Sequence, residues 1–309
     1  MATPAEALEV GHGGLTRSRV RAIVAALKLR IGLEITLTAI AGVAITPGHG
    51  LTSWRLAGLA AAVLLASCAA GAFNQYAERD IDAQMRRTRY RPFVTGALHA
   101  NGHWLAGIAA MLLAAVILGL VTTNAVATAF VLAGGLTYGV VYTLWLKRTT
   151  WLNIVVGGFA GSFAVLAGAA AVDTQIAAEP ALLALALFFW TPPHFWSLAL
   201  YNRDDYQRAA VPMLPAIISP RRSAVIILGH VIVVLILSLL PAAFGAGAAY
   251  LICAGIGGGY FLYRSIQLVR TPTRPVAWSC FKASLIQLTL LLIGAIAEGA
   301  GHGQLVNVS

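Results

Sequence analysis

Three oxygen-bearing side chains recur at intervals of four in the segment NQYAERDIDAQMRRTRYRP, residues 74 to 92: Asn74, Glu78 and Asp82. On an α-helix this spacing places them within about 80° of one face. Amide and carboxylate oxygens suit Mg²⁺, a cation that keeps several waters and commonly bridges to substrate phosphates. Four arginines follow and could hold those phosphates with forked donors: Arg86, Arg87, Arg89 and Arg91. The segment therefore predicts a site for a magnesium-bound diphosphate.

A plainer interpretation of the same segment is a helix end that emerges from a membrane into water. Charges are tolerated there, and the excess of basic residues on the cytoplasmic side accounts for the arginines. This interpretation leaves the acids unexplained, because membrane topology places no demand for Asn, Glu and Asp at intervals of four.

Basic residues recur in a second segment, YTLWLKRTTWLNIVVGG, residues 142 to 158, which contains Lys147, Arg148 and Asn153. Their side chains donate hydrogen bonds that could hold the same phosphates. A Lys-Arg pair is also ordinary in a short cytoplasmic connection, and the segment taken alone favours that interpretation.

A third segment, WTPPHFWSLALYNRDDYQRAAVPMLP at residues 190 to 215, carries a double proline inside an apolar run. Prolines leave helix carbonyls without donors, and within a membrane such irregularity is tolerated only against protein or a cavity. Helical spacing places His194 and Asp205 on one face, roughly 16 Å apart, and Asn202 flanks that face. An ionisable residue inside a span is a functional candidate. The alternative for His194 is a structural histidine with a satisfied hydrogen bond.

The three segments belong to a very apolar chain. Of its 309 residues 59% are hydrophobic, and the mean hydropathy is +0.80. Uncharged runs long enough to cross a bilayer recur along nearly all of it, and the turn sequences TTN at 122–124 and LPAAFGAG at 240–247 divide the longest ones. The sequence predicts an all-α polytopic membrane bundle of nine transmembrane helices, the first near residues 31–46, with a central cavity opening to the cytoplasmic side.

The predicted organisation is a polar cytoplasmic tail at residues 1–25, one transmembrane domain at residues 26–300 and a short C-terminal tail at residues 301–309. The second and sixth helices both end in acid-rich segments, which indicates a weak internal pseudo-symmetry.

The positions of the basic residues predict the orientation. With a cytoplasmic N-terminus, the 21 lysines and arginines fall on the cytoplasmic side except Arg55 on the opposite side and Lys282 within the last span. The second, fourth and sixth helices then end at the same cytoplasmic mouth, so the three segments converge. The net charge of +10 reflects topology and contact with anionic membrane lipids, and it gives no support to nucleic-acid binding. We expect a multi-pass protein of the inner (cytoplasmic) membrane.

The combined motifs resemble those of the intramembrane prenyltransferase superfamily over nearly the whole chain, from LKLR at 27–30 to FKASLIQLTLLL at 281–292. Asn74, Glu78 and Asp82 are similar to its first aspartate-rich motif. PPHFW at 192–196, DY at 205–206 and VPMLP at 211–215 resemble its heme-farnesylating branch.

The resemblance implies transfer of a farnesyl group from farnesyl diphosphate to a vinyl group of heme B, with addition of water, giving heme O and diphosphate. It implies Mg²⁺ bound by Asn74, Glu78 and Asp82, with Asp205 as a further catalytic residue and His194 as the heme-binding residue. It also implies heme A synthase or a terminal oxidase as protein partners. The residues that it assigns to the diphosphate are Arg87, Arg91, Lys147, Arg148, Asn153 and Asn202.

The chain departs from the family pattern at two places. The second acidic motif has few aspartates, since residues 202–206 read NRDDY, and this leaves the number of metal ions open. The usual Lys-Pro-Arg before the first helix reads Lys28, Leu29, Arg30, a change that we expect to have little effect.

Two other functions are compatible with parts of the sequence. A prenyltransferase that acts on an aromatic quinone precursor would share the first acidic motif, but PPHFW and the missing second-motif aspartates argue against it. An ion-coupled transporter would also use broken helices and membrane acids, but it predicts them near the bilayer midplane rather than at one edge.

Overall fold

The computed structural model describes residues 19–303 and residue 305, and its elements in that range are helices. The predicted all-α bundle is therefore confirmed. In the described range the long helices, numbered in chain order, are α1 (Leu29–Ile45), α2 (Ser53–Ala77), α3 (Gly102–Thr122), α4 (Ala125–Thr149), α5 (Asn153–Val172), α6 (Ala178–Tyr201), α7 (Pro220–Phe244), α8 (Ala248–Arg270) and α9 (Arg274–Gly301).

Seven of these helices, α2 to α7 and α9, are long and apolar enough to cross a membrane. Helix α1 has 17 residues and α8 has 23, and neither meets the same combined requirement of length and hydropathy. Both nevertheless coincide with predicted spans. The predicted turns are also found: Asn124 ends the first of them as the N-cap of α4, because its Oδ1 accepts from the Ala127 amide at 2.9 Å.

The chain repeats one construction after α2 and after α6. Each of these helices is followed by a six-residue helix, Arg79–Gln84 or Arg203–Arg208, and then by a four-residue helix, Pro92–Thr95 or Leu214–Ile217. This repetition agrees with the predicted pseudo-symmetry of the second and sixth helices.

Small residues let the central helices approach closely. A Cβ on Gly168 of α5 would collide with the carbonyl oxygen of Ala39 in α1, and a Cβ on Gly42 would collide with that of Val165. Ala39 of α1 and Ala164 of α5 belong to one buried cluster, and such small residues are the usual means by which helices associate in lipid. The α1–α5 contact holds in place the face of α1 that lines the cavity described below.

Residues 19–27 form a helix that precedes α1. Its Ala26 is fully buried in a cluster with Phe93 and Leu98, so the end of the predicted tail packs against the segment that follows α2. Residues 1–18 of that tail, and residues 304 and 306–309 of the predicted C-terminal tail, lie outside the described residues.

Candidate active site

The three predicted segments pack together through one hydrophobic cluster at the end of the bundle. Ile81 of the first segment, Tyr142 and Ile154 of the second, and Tyr206 and Met213 of the third are members of the same buried group. The apolar residues between the charged positions thus hold the segments against one another. The convergence predicted from topology is present in the structure.

The Asn74 amide lies near the end of α2, with both of its polar atoms engaged. Its Nδ2 donates to Thr143 Oγ1 at 2.9 Å, and its Oδ1 accepts from Lys28 Nζ at 2.6 Å. Thr143 Oγ1 donates in turn to the Tyr138 carbonyl at 2.8 Å, while Lys28 Nζ also donates to the Tyr138 hydroxyl at 3.0 Å. These contacts fix the amide with its oxygen toward the ammonium group.

Glu78 stands at the break between α2 and the short helix Arg79–Gln84, and it is completely buried. The break keeps the helical register, because the Glu78 amide donates to the Asn74 carbonyl and the Asp82 amide donates to the Glu78 carbonyl. One carboxylate oxygen, Oε2, forms an ion pair with Lys147 Nζ. The other oxygen, Oε1, is buried without a hydrogen-bond partner among the described residues. An acceptor left this way costs free energy unless a ligand supplies its partner.

Asp82 is also buried, with 1% of its side chain exposed, and its Oδ2 pairs with Arg91 Nη1 at 2.6 Å. Arg91 is the residue before Pro92, at the N-cap of the short helix Pro92–Thr95. Thr88 donates its hydroxyl to the Asp82 carbonyl at 3.1 Å and closes the intervening turn. The loop of arginines is therefore folded back so that Arg91 reaches the same pocket as the acids.

Other predicted residues lie at the outer edge of this cluster. The Arg148 guanidinium donates two hydrogen bonds of 2.8 Å to the carboxylate of the exposed Asp80. This hydrogen bonding lowers the pKa of the Asp80 carboxyl to about 2. Asp205 is buried and accepts from Arg208 at 2.6 Å. The Arg274 guanidinium lowers the pKa of the exposed Asp204.

The other two predicted asparagines, Asn153 and Asn202, donate to backbone carbonyls, and Arg87 is exposed. Asn153 Nδ2 donates to the Thr150 carbonyl at 2.7 Å, which leaves its buried Oδ1 without a partner in the described residues. Asn202 Nδ2 donates to the Leu198 carbonyl at 3.0 Å. Arg87 stands on the open side of the first segment.

A π-helical stretch in α4 aligns the second segment with the first. Residues Thr137–Leu146 form this stretch, and within it the rings of Tyr138 and Tyr142 stack at 5.6 Å. The wider turn places Tyr138 and Thr143, five residues apart, next to Asn74, and it ends where Lys147 meets Glu78. Such local widening is frequent at functional sites because it redirects side chains without ending the helix.

A cavity extends from this polar cluster into the apolar bundle, as the double proline predicts. It contains about 1270 Å³ of empty space, including the part open to the surroundings. Its polar end is marked by Lys28 and Tyr138, and its deeper wall includes Trp190 and His194. Helix α6 continues through Pro192 and Pro193 without ending. The cavity thus joins a charged end to an apolar and aromatic interior.

His194 is buried between the rings of Trp190 and Phe281, at centroid distances of 4.3 and 4.7 Å. Its Nδ1 lies 2.7 Å from Ser284 Oγ, and that hydroxyl lies 2.6 Å from the Phe281 carbonyl. A serine hydroxyl has one proton, and the carbonyl can only accept it, so the hydroxyl must accept from Nδ1–H. The lone pair of His194 is then on Nε2, for which the described residues supply no hydrogen bond.

The polar end of the cavity brings together basic side chains and side-chain oxygens that can bind a metal. These contacts show whether the site fits a divalent cation. In the described part of the chain no group of three or more His, Cys, Asp or Glu side chains could hold a metal ion alone. Glu78 and Asp82 would need the oxygen of Asn74 and substrate oxygens to complete a shell. The unpartnered Glu78 Oε1 and the all-oxygen donor set fit Mg²⁺, which commonly uses few protein carboxylates together with waters and phosphates.

Several residues of the site were missed by sequence reasoning. The sequence predicts no role for Lys28 beyond the altered entry motif, and none for Thr143, Ser284 or Glu34, which also lines the cavity. Glu34 could have been found, since it is an acid within a predicted span. Thr143 and Ser284 carry no signal in one sequence, because their roles depend on contacts with residues 69 and 90 positions away.

Comparison with known proteins places this site in context. Residues 35–291 match the model of the UbiA prenyltransferase family. Protoheme IX farnesyltransferase 2 of Paramagnetospirillum magneticum is 50% identical over 281 residues, which cover 91% of this chain and 98% of the relative.

Solved structures with low sequence identity share the fold. The structure described as digeranylgeranylglyceryl phosphate synthase superposes with a TM-score of 0.73 at 18% identity, covering 90% of this chain and 99% of the other. A UbiA homolog from Archaeoglobus fulgidus bound to DMAPP and Mg²⁺ superposes with a TM-score of 0.68 at 13% identity, covering 89% of this chain and 99% of that one.

Proposed function

Because the chain is an integral membrane protein that belongs to the UbiA prenyltransferase family, we propose that it transfers a farnesyl group from farnesyl diphosphate to a vinyl group of heme B. Water is added in the same reaction, and the products are heme O and diphosphate. One observation supports this function above the others. The buried ion pairs of Asp82 and Glu78 lie next to the polar end of a cavity, and that cavity is also lined by His194, whose Nε2 has no hydrogen bond among the described residues. The name of the 50% identical relative supports the choice of heme as acceptor.

The diphosphate binds at the polar end. Lys147 and Arg91 are held there by acids, and Lys28 is held by the Asn74 amide. When the substrate arrives, these bases move their donors to phosphate oxygens, which are stronger acceptors because they carry more charge. The other predicted residues complete the binding surface, Asn153 from its buried side and Arg87, Arg148 and Asn202 from its outer edge.

The acids of these ion pairs would hold the metal once the bases have turned to the diphosphate. Asn74, Glu78 and Asp82 would bind Mg²⁺ through oxygen, and Asp205 would assist from the third segment. The cation supplies neutralisation of the charge that develops on the departing diphosphate. The bases of the chain act in the same direction, because their charges are already in place before the C–O bond breaks.

The cavity holds both apolar groups. Its wall between Lys28 and His194 consists mainly of aliphatic and aromatic residues, which suit the prenyl chain and the porphyrin. Burial excludes bulk water from the allylic carbon, which would otherwise be hydrolysed. His194 orients the heme from the deeper wall, since neutral imidazole is a common iron ligand and its Nδ1–H is held by Ser284.

The proposed topology places the charged end of the bundle in the cytoplasm. Helices α1 to α9 cross the inner membrane nine times with the N-terminus in the cytoplasm, and the charged mouth opens to the cytoplasmic side. Residues 26–300 form the transmembrane domain, with residues 1–25 and 301–309 as tails. The farnesylated product remains in the membrane lipids, from which heme A synthase or a terminal oxidase takes it.

Heme O formation is the direct test. The purified protein, given heme B, farnesyl diphosphate and Mg²⁺, is expected to produce a pigment with the mass of heme O, and EDTA is expected to stop its formation until Mg²⁺ is restored. Chromatography with mass spectrometry provides the measurement. Prenylation of 4-hydroxybenzoate in place of heme would contradict the choice of acceptor, and turnover unaffected by EDTA would contradict the metal.

Thr143→Val is expected to reduce turnover about tenfold, because valine keeps the shape but no longer accepts from the Asn74 amide, which is then free to turn its oxygen away. Thr128→Val on the same helix is the matched control, since its buried hydroxyl donates only to the Asn124 carbonyl. Initial rates of heme O formation at several Mg²⁺ concentrations measure the effect. Equal losses in the two variants would show a general effect on α4 and not a role in orienting Asn74.

A further inference from the structure

Helix α1 turns one face toward the cavity, and that face carries an acid. Ile31, Glu34, Ile35 and Thr38 all line the cavity, and their spacing by three and four is that of one helical stripe. Glu34 is the only acid among the cavity-lining residues described. The Glu34 side chain is exposed on this cavity-lining face, and an ionisable residue within a predicted membrane span is a functional candidate by default.

Glu34 differs from the acids of the charged mouth in having no partner. Glu78, Asp80, Asp82, Asp204 and Asp205 each form an ion pair. By contrast, no hydrogen bond or ion pair within residues 19–303 and 305 reaches the Glu34 carboxylate, although Arg30 lies four residues earlier on the same helix. Its oxygens are therefore available to a group inside the cavity.

The position of Glu34 along α1 matches the place where the acceptor must react. It lies six residues after Lys28, or about 9 Å further along the helix axis. The reacting carbon of a prenyl diphosphate is bonded directly to the diphosphate, so the new C–C bond forms just inside the polar end. Glu34 lines the cavity beyond Lys28, and His194 of α6 lines the same cavity.

We propose that Glu34 is the general base that removes a proton from the water added to the farnesylated vinyl group; this role rests on the proposed function. The C–O bond of farnesyl diphosphate breaks, and its electron pair leaves with the diphosphate. The vinyl π electrons form the C–C bond, and the positive charge appears on the vinyl carbon next to the porphyrin ring. A lone pair of water forms the new C–O bond, and the released proton goes to the Glu34 carboxylate.

The other groups of the cavity are already committed. The Tyr138 hydroxyl accepts from Lys28, the acids of the mouth are paired with bases, and His194 would contact the heme through Nε2. Among the acidic and basic side chains that line the cavity, Glu34 is thus the proton acceptor that remains. Without it, the cation loses a proton from the adjacent carbon and forms a farnesylated alkene, which is lighter than heme O by one water.

Glu34→Gln tests the role, because glutamine keeps the size of the side chain but accepts a proton poorly. Heme O formation is expected to fall about 100-fold, and the share of the dehydrated product is expected to rise. The dissociation constants of heme B and farnesyl diphosphate are expected to stay within about twofold, and Glu34→Asp is expected to restore part of the hydration. Glu179→Gln, the same change at the start of α6 and outside this cavity, serves as the control.

The outcomes separate this role from the proposed function. Wild-type protein that produces no farnesylated heme overturns both. Wild-type protein that produces heme O, with Glu34→Gln giving the same rate and the same product ratio, overturns the role of Glu34 alone. Parallel weakening of both substrates in Glu34→Gln, with an unchanged product ratio and no rescue by Glu34→Asp, also overturns it, because that pattern belongs to a structural acid.

Discussion

Asp82→Asn is expected to reduce heme O formation by more than about 100-fold while the helix bundle remains folded. Asparagine preserves the shape and one acceptor for Arg91, but it removes the negative charge that a magnesium ion requires. The structure limits the damage elsewhere, because Arg91 keeps 20% of its side chain exposed and water can solvate it. Turnover measured against Mg²⁺ concentration, together with thermal unfolding, separates the two effects.

Asp80→Asn provides the matched control for this experiment. It is the same chemical change on the same short helix, two residues earlier, but the Asp80 side chain is 59% exposed and pairs with a solvent-accessible Arg148. Exposed ion pairs contribute little, so turnover is expected to stay within about twofold of wild type. Equal losses in both variants would indicate a dependence on the total charge of the mouth. Normal turnover in Asp82→Asn would exclude it as a metal ligand.

The helices of the bundle could be predicted because apolar length and turn residues act locally. Asn124 ends one long run because its side chain caps the next helix, and this preference is visible in the sequence itself. The convergence of the three segments could be predicted because basic residues mark every second connection, so that the second, fourth and sixth helices end on the same side of the membrane. Both predictions depend on local or additive properties.

The pairing of acidic with basic side chains at the charged mouth could not be predicted in the same way. Lys147 and Arg148 are adjacent in sequence and were assigned one role, but consecutive helical residues point about 100° apart. Lys147 consequently faces the buried Glu78, while Arg148 lies on the exposed Asp80. The residue pattern defines which charges are present, and the three-dimensional packing decides which of them meet.

Lys28 shows a second limit, which comes from backbone conformation. Its φ of 51° is left-handed, an uncommon conformation for a residue with a side chain, and it joins the helix at residues 19–27 to α1. This turn allows the ammonium group to reach Asn74 and Tyr138. Nothing in the local sequence LKLR favours a left-handed residue, so the contribution of Lys28 appears only once the two helices are positioned.

His194→Ala is expected to weaken heme binding by more than about tenfold and to change the Soret spectrum of the heme-loaded protein. Farnesyl diphosphate affinity is expected to remain nearly unchanged, because in the proposed function its diphosphate binds at the polar end marked by Lys28. Ser284→Ala should produce a smaller change of the same kind, since it leaves the imidazole in place but removes the acceptor that keeps the proton on Nδ1. Spectral titration with heme B, alongside binding of farnesyl diphosphate, measures both affinities.

His230→Ala is the matched control, because this histidine of α7 bonds to the Ile226 carbonyl, packs beside Trp196 and does not line the cavity. It is expected to leave the Soret spectrum unchanged. Weaker binding of both heme B and farnesyl diphosphate in His194→Ala, with a lower unfolding temperature, would assign His194 a structural role. Removal of the ring also leaves Ser284 without its hydrogen-bond donor. A selective loss of heme binding in a folded protein would instead support direct contact between His194 and the heme through Nε2, since Nδ1 is already held by Ser284.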